Sequence, residues 1–247
     1  MPTVKDIYGF LEKIAPFEAA MEWDNSGLLA GDINREVNKI LFALDITSAV
    51  VNEAVKINAD LIISHHPIIF KPIKRIEYGS PLDLLLKNDL PIICAHTNYD
   101  LANNGVNDIL CHVLGFNTFK KYGTECFNLV KCEAPFDCDT LAVYVKNKLN
   151  AAVRYNKTDS KIRKIAVCCG AGSDYLSLAR DLGCNALITG DGSHHDFLDA
   201  AEYGISLICA GHFETEIPAV EFLADLICNL FGLECVIAEQ ESPIITI

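Results

Sequence analysis

Histidines and carboxylates punctuate this chain in a recurring way. Ser64-His65-His66-Pro67 sets two imidazoles side by side directly after the apolar run Leu61-Ile62-Ile63. His96 is followed four residues later by Asp100, and His212 four residues later by Glu216. In a helical turn, side chains at that spacing share one face. Imidazole nitrogen and carboxylate oxygen are donors that suit zinc, manganese, iron, cobalt and nickel. A core strand gains nothing from adjacent imidazoles, so the pattern points to metal binding by His65, His66, Asp100, His212 and Glu216. Five protein ligands are too many for one ordinary zinc and too few to saturate two six-coordinate ions. The set fits two divalent ions with positions left for water, which marks a catalytic rather than a structural site. Consecutive Cα atoms lie about 3.8 Å apart, and paired catalytic ions about 3.5–4 Å apart. Neighbouring histidines can therefore serve both ions, if a kink fixed by Pro67 turns the two rings to one side. Two divalent ions outweigh two carboxylates, and the surplus positive charge favours hydroxide and an anionic substrate.

Strand ends must deliver these residues, and the chain supplies them twice. The first series runs strand 39–44, helix 50–56, strand 59–64, helix 82–87 and strand 91–96. The second runs strand 164–169, helix 175–182, strand 185–190, helix 197–203 and strand 205–210. Both third strands end in Ile-Cys-Ala before a histidine with its carboxylate. Strand-helix-strand-helix-strand patterns favour parallel strands with crossover helices. Ligands in such sheets gather at the carboxyl ends of the strands. The expected fold is α/β, with two lobes of related pattern around mixed sheets and the metal site in the cleft between them. The expected lobes are 1–123 and 124–247, the C-terminal segment being able to return to the first. Thr3 is placed to cap an opening helix whose apolar residues are Val4, Ile7, Phe10, Leu11 and Ile14.

Composition narrows the functional classes. The 247 residues are 51% hydrophobic and 21% charged, a globular balance. No apolar run approaches a membrane span, and the opening residues do not read as a signal peptide. A net charge of −13 argues against a general nucleic-acid binder, although it leaves room for a local basic patch. Eleven cysteines without a CxxC pair suit buried, reduced thiols and a cytoplasmic location. Cys126, Cys132 and Cys138 are evenly spaced, but a fourth zinc ligand is not evident.

Several stretches together resemble the NIF-three-like family, also labelled GTP cyclohydrolase I type 2. They are Trp23-Asp24-Asn25-Ser26-Gly27-Leu28, Ser64 to Phe70, His96 to Asp100 with Gly105-Val106-Asn107-Asp108, Thr189-Gly190-Asp191 with His195, and Gly211 to Glu216. They occur in order along nearly the whole chain. The resemblance implies a two-lobed α/β fold with a dinuclear metal site whose ligands map onto His65, His66, Asp100, His212 and Glu216. It also implies a homohexamer built as a trimer of dimers. The inherited activity is hydrolytic opening of a purine ring.

Other residues carry two readings. His96 is a ligand, a partner of ligands, or structural. His195 can shuttle protons near neutral pH, or simply begin a surface helix capped by Ser193. Gly170-Ala171-Gly172 can hold phosphate at a helix start or form a tight turn. Lys71, Lys74 and Arg75, and the run Arg154, Lys157, Lys161, Arg163 and Lys164, can meet phosphates or face solvent. The leading expectation is a metal-dependent hydrolase of an anionic, nucleotide-like substrate, with His195 as acid or base. The alternative is a metal carrier or regulatory scaffold without turnover.

Overall fold

The computed structural model describes residues 1–123 and 125–245. Along the first half the elements are α1 (Val4–Ile14), β1 (Gly27–Ala30), β2 (Lys39–Ala43), α2 (Ser48–Lys56), β3 (Leu61–Ser64), α3 (Pro81–Lys87), β4 (Ile92–Cys94), α4 (Thr97–Leu101) and α5 (Val106–Val113). There follow β5 (Phe119–Lys121), β6 (Asn128–Phe136), α6 (Cys138–Leu149), β7 (Arg154–Tyr155), β8 (Ile162–Val167), α7 (Leu176–Asp181), β9 (Ala186–Thr189), α8 (His194–Tyr203), β10 (Ser206–Cys209), α9 (His212–Phe231) and β11 (Glu234–Ile237). The chain forms two compact units. One comprises Met1–Asn103 and Ala219–Glu241; the other comprises Asn104–Pro218 and the chain from Ser242. The division falls inside α9, directly after its internal Pro218.

The first unit holds a five-stranded mixed sheet in the order β1-β4-β3-β2-β11. β2, β3, β4 and β11 run parallel, and β1 closes one edge antiparallel to β4. β3 and β4 are buried at every position, as expected of parallel strands covered on both faces. One face packs Leu41, Ile62 and Ile92 against Val50, Val51 and Ala54 of α2 and Leu85 of α3. Each such side chain contributes roughly 1.5–3 kcal/mol through burial. On the other face, Phe42 and Ile63 line a small cavity with Ala219, Val220 and Leu223 of α9. Helix starts follow local chemistry. Thr3 accepts from the Asp6 N–H while the Asp6 carboxylate accepts from the Thr3 N–H at 2.8 Å, a closed capping box. The Thr47 and Ser80 hydroxyls accept from the Val50 and Asp83 N–H groups to cap α2 and α3, with Pro81 at the first helical position.

The second unit holds a six-stranded mixed sheet, β5-β6-β8-β9-β10-β7. β8, β9 and β10 are parallel, while β5, β6 and β7 join antiparallel. Its core gathers Phe127, Ala166, Leu187 and Leu207 with Leu176, Ala179 and Ala200 from the crossover helices. Both expected strand-helix-strand-helix-strand series are present, one per sheet, with the three strands of each running parallel.

Candidate metal centre

His65 and His66 continue the strand pairing beyond β3. Their N–H groups donate to the carbonyls of Ala43 and Leu44 at 3.1 and 2.9 Å. The chain bends there, and the Ser64 hydroxyl donates to the His66 carbonyl at 2.8 Å. Extended backbone would send consecutive rings to opposite sides. The bend instead leaves the two ring centres 5.1 Å apart. The His96 ring lies 5.1 Å from that of His65 and 5.5 Å from that of His66. One nitrogen from each of the three lies within 4.8 Å of the others.

The outer partners of these rings fix their chemistry. His65 Nδ1 lies 2.9 Å from the Ala95 carbonyl, which can only accept, so Nδ1 carries the proton. His66 Nδ1 lies 2.7 Å from Asp45 Oδ1, and His96 Nδ1 lies 2.7 Å from Asp24 Oδ1. In the second unit, His212 Nδ1 lies 2.6 Å from Asp191 Oδ2. Each ring thus gives Nδ1–H to an oxygen and presents the Nε2 lone pair on its other side. Metal-ligating histidines show this arrangement almost invariably.

The carboxylates face those lone pairs. Asp100, in α4, places Oδ1 3.6 Å from His65 Nε2, both side chains being buried. Glu216 Oε2 lies 3.1 Å from His212 Nε2, one helical turn along α9. A neutral imidazole nitrogen and a carboxylate oxygen both offer electron pairs, so they repel unless a cation or a proton lies between them. Imidazole and carboxylate are also the donors that borderline divalent ions take. The residues present therefore fit the metal that the sequence motifs imply.

The supporting shell is built as firmly as the ligands. The Asp24 side chain is wholly buried. It accepts from His96, from the Asn25 N–H at 2.7 Å, from the Ser26 hydroxyl at 2.9 Å, and from the Thr97 N–H and hydroxyl at 3.1 and 2.5 Å. Burial by itself raises the Asp24 carboxyl, but the bonds from His96 and Thr97 outweigh it and hold the group well below the usual carboxylate range. Asp45 is steadied through its backbone. The Gln240 amide accepts from the Leu44 N–H and donates to the Asp45 carbonyl, both at 2.8 Å.

In the second unit, glycine makes room for the His212–Glu216 pair. Gly170 has φ +54°, and a Cβ there would overlap Glu216 Oε1 and approach His212 Nε2 to 3.1 Å. A Cβ on Gly190 would stand 2.8 Å from the His212 Cα. The Gly170–Gly172 turn does not offer its amides to a phosphate. Gly170 N–H donates to the Thr215 hydroxyl at 3.1 Å and Gly172 N–H to the Thr189 hydroxyl at 2.9 Å. The tight-turn reading is the one that fits.

The remaining sequence candidates divide. His194 and His195 lie exposed in the first turn of α8, which Ser193 caps with Asp196. Lys71, Lys74 and Arg75 are exposed, and Arg75 bonds Glu77 at 2.8 Å. Much of the second basic run is already engaged. Lys157 pairs with Asp139 at 2.6 Å, Lys161 with Asp137, and Lys164 donates to the Leu182 carbonyl. Among the described residues, Cys126, Cys132 and Cys138 join no group able to hold a metal. Among the described residues no cysteine forms a disulfide, and burial pushes the thiols of Cys111 and Cys209 up to about 12. No described helix is long and apolar enough to cross a membrane.

Sequence reasoning gave the outer carboxylates no role, although Asp24 and Asp191 stood in stretches it singled out. Trp23-Asp24-Asn25 stood out as a motif without a derivable role, and Asp24 proves to be the anchor of His96. Asp45 follows β2, and Asp191 follows β9. A carboxylate just past a parallel strand was the available signal for both.

The profile of the family described as Duf34/NIF3 (NGG1p interacting factor 3) matches residues 2–243. A Clostridium acetobutylicum protein named GTP cyclohydrolase 1 type 2 homolog is 35% identical over 233 residues, covering 88% of this chain and 86% of its own. A Helicobacter pylori protein named GTP cyclohydrolase 1 type 2 is 36% identical over 222 residues, covering 87% and 88%. The crystal structure of a Staphylococcus aureus hypothetical protein superposes with a TM-score of 0.89 at 29% identity, covering 99% of both chains.

Proposed function

The chain belongs to the Duf34/NIF3 family, and from that membership and the anchored histidines we propose that it is a dinuclear metal protein with His65, His66, Asp100, His212 and Glu216 as ligands. The single observation that carries the proposal is the fixed tautomer. The His65, His66 and His212 imidazoles each have Nδ1 held by an oxygen, at 2.6 to 2.9 Å, which leaves Nε2 as the donor atom.

The proposed activity is hydrolysis of an anionic, nucleotide-like substrate. The relatives' names refer to GTP, a member of that class. Divalent ions, when bound, supply Lewis acidity and lower the pKa of water to about 7. The chain's own residues do the rest. Asp45 and Asp191 orient the His66 and His212 rings, and Asp24 orients the His96 ring near His66. His195, exposed at the start of α8, is the proposed group that gives or takes a proton. Eleven cysteines without a disulfide among the described residues favour the reducing cytoplasm as its place of action, and a homohexamer is the proposed assembly.

A turnover screen tests this reading. GTP and other phosphorylated compounds are offered to protein purified with its metal, and metal content is measured on the same sample. Steady product formation that disappears in His66→Ala supports the hydrolase. Tight metal uptake with no product from any compound overturns the hydrolase and leaves a carrier. His195→Ala is expected to retain metal and lose turnover.

A further inference from the structure

Two large apolar rings stand in solvent at the edge of the first histidine cluster. Trp23 is 59% exposed and Phe70 45%. Their ring centres lie 5.7 Å apart with planes inclined by 53°. Each also meets the His96 ring, at 6.0 Å from Trp23 and 6.3 Å from Phe70. Neither ring is left to wander. Asp24, next to Trp23, is locked to His96 and Thr97. The Asn25 amide donates to the Ile69 carbonyl at 2.6 Å, which ties the chain beside Trp23 to the chain beside Phe70. Exposed aromatic surface forgoes the stabilisation of burial, unless another flat surface comes to cover it.

Charge indicates what that surface carries. Directly after Phe70 the chain exposes Lys71, Lys74 and Arg75. Arg75 is engaged with Glu77, whereas Lys71 and Lys74 make no ion pair among the described residues. On a chain of net charge −13, two exposed cations within the four residues that follow Phe70 suit an anionic tail on a planar ring. Base–aromatic stacking tolerates many rings because each has a π-face.

We infer that Trp23 and Phe70 form a stacking platform for a flat heteroaromatic ring, with Lys71 and Lys74 meeting its phosphate. The proposal names the substrate class for the metal site above and rests on that reading, but its test does not require bound metal. The chain has one tryptophan, so indole fluorescence reports Trp23 alone. Guanosine 5′-monophosphate and nicotinamide mononucleotide are titrated into the full-length protein, with ribose 5-phosphate as the ring-free control. Saturable quenching by at least one of the two nucleotides, with ribose 5-phosphate at least tenfold weaker by competition, is the expected result. Phe70→Ala raises the nucleotide Kd about tenfold, and Phe70→Tyr restores it. Metal content, measured on the same samples, stays the same in all three proteins.

Equal affinity for the ring-free control, no quenching by either nucleotide, or an unchanged Kd in Phe70→Ala overturns the platform. Trp23 emission that follows protein concentration and ignores the nucleotides also overturns it, and points to a second copy covering the rings. Failure of the metal reading is seen separately, as protein that stacks nucleotides but takes up no metal.

Discussion

A methyl group at position 170 separates the cost of backbone strain from the cost of a crowded metal ligand. Gly170 sits at φ +54°, and its Cβ would collide with Glu216 Oε1. The left-handed conformation costs an L-residue about 1–2 kcal/mol. Moving the buried Glu216 carboxylate off its preferred rotamer adds roughly 0.5–1.5 kcal/mol. Gly183 provides the control, since it has φ +72° but open space where the Cβ would go. Urea unfolding is expected to show Gly183→Ala losing about 1–2 kcal/mol and Gly170→Ala about 1.5–3.5 kcal/mol. The larger difference lies in metal affinity, because the displaced atom belongs to a ligand. Titration calorimetry with Mn²⁺ should show Gly170→Ala weakened about 10–100-fold, the scale on which ligand-orienting changes act, while Gly183→Ala binds as wild type. Equal Mn²⁺ affinity in the two variants would refute the role given to Gly170 and, with it, the placement of Glu216 as a ligand.

Three further outcomes follow from the supporting shell. Asp45→Ala releases His66 Nδ1 and should weaken metal binding about 10–100-fold by the same calorimetry, with the urea midpoint little changed. Gln240→Ala removes both bonds to the Leu44–Asp45 backbone and should cost about 1–3 kcal/mol in urea unfolding. Asp24→Ala strips the acceptor from His96 and Thr97 and should cost about 2–4 kcal/mol at neutral pH. The folded Asp24 carboxyl is held below its ordinary value, so its contribution is full above the unfolded value of about 3.9 and fades as pH falls below it. The gap between wild type and Asp24→Ala should be constant above about pH 5 and shrink on acidification below about pH 4. A gap that widens in acid would reverse that sign.

Much of the frame was legible because periodicity and strand-end chemistry are local signals. The series from Lys39 to Cys94 and from Ile162 to Cys209 could be read from apolar runs that parallel sheets bury on both faces. The bend at His65-His66 could be read from Pro67 and two polar rings, and the His212–Glu216 pair from its spacing. Edge strands were less visible. β1 has four residues and β7 two, and strands that short carry no reliable alternation. β11 joins β2 across nearly two hundred residues, a pairing that no local pattern encodes. The anchors Asp24 and Asp45 were hidden for the same reason, since a carboxylate reveals its role only through the ring that it meets. The Gly170–Gly172 turn stayed open between phosphate binding and a tight turn because sequence shows glycine spacing but not where each N–H is spent.

Metal stoichiometry tests the central claim most directly. The full-length protein is incubated with Zn²⁺ or Mn²⁺, freed of unbound metal, and analysed for metal per chain alongside His66→Ala and Glu216→Ala. The account predicts two ions per wild-type chain and a clear loss in each variant. Wild-type protein that retains no metal, or variants that retain as much as wild type, would contradict it.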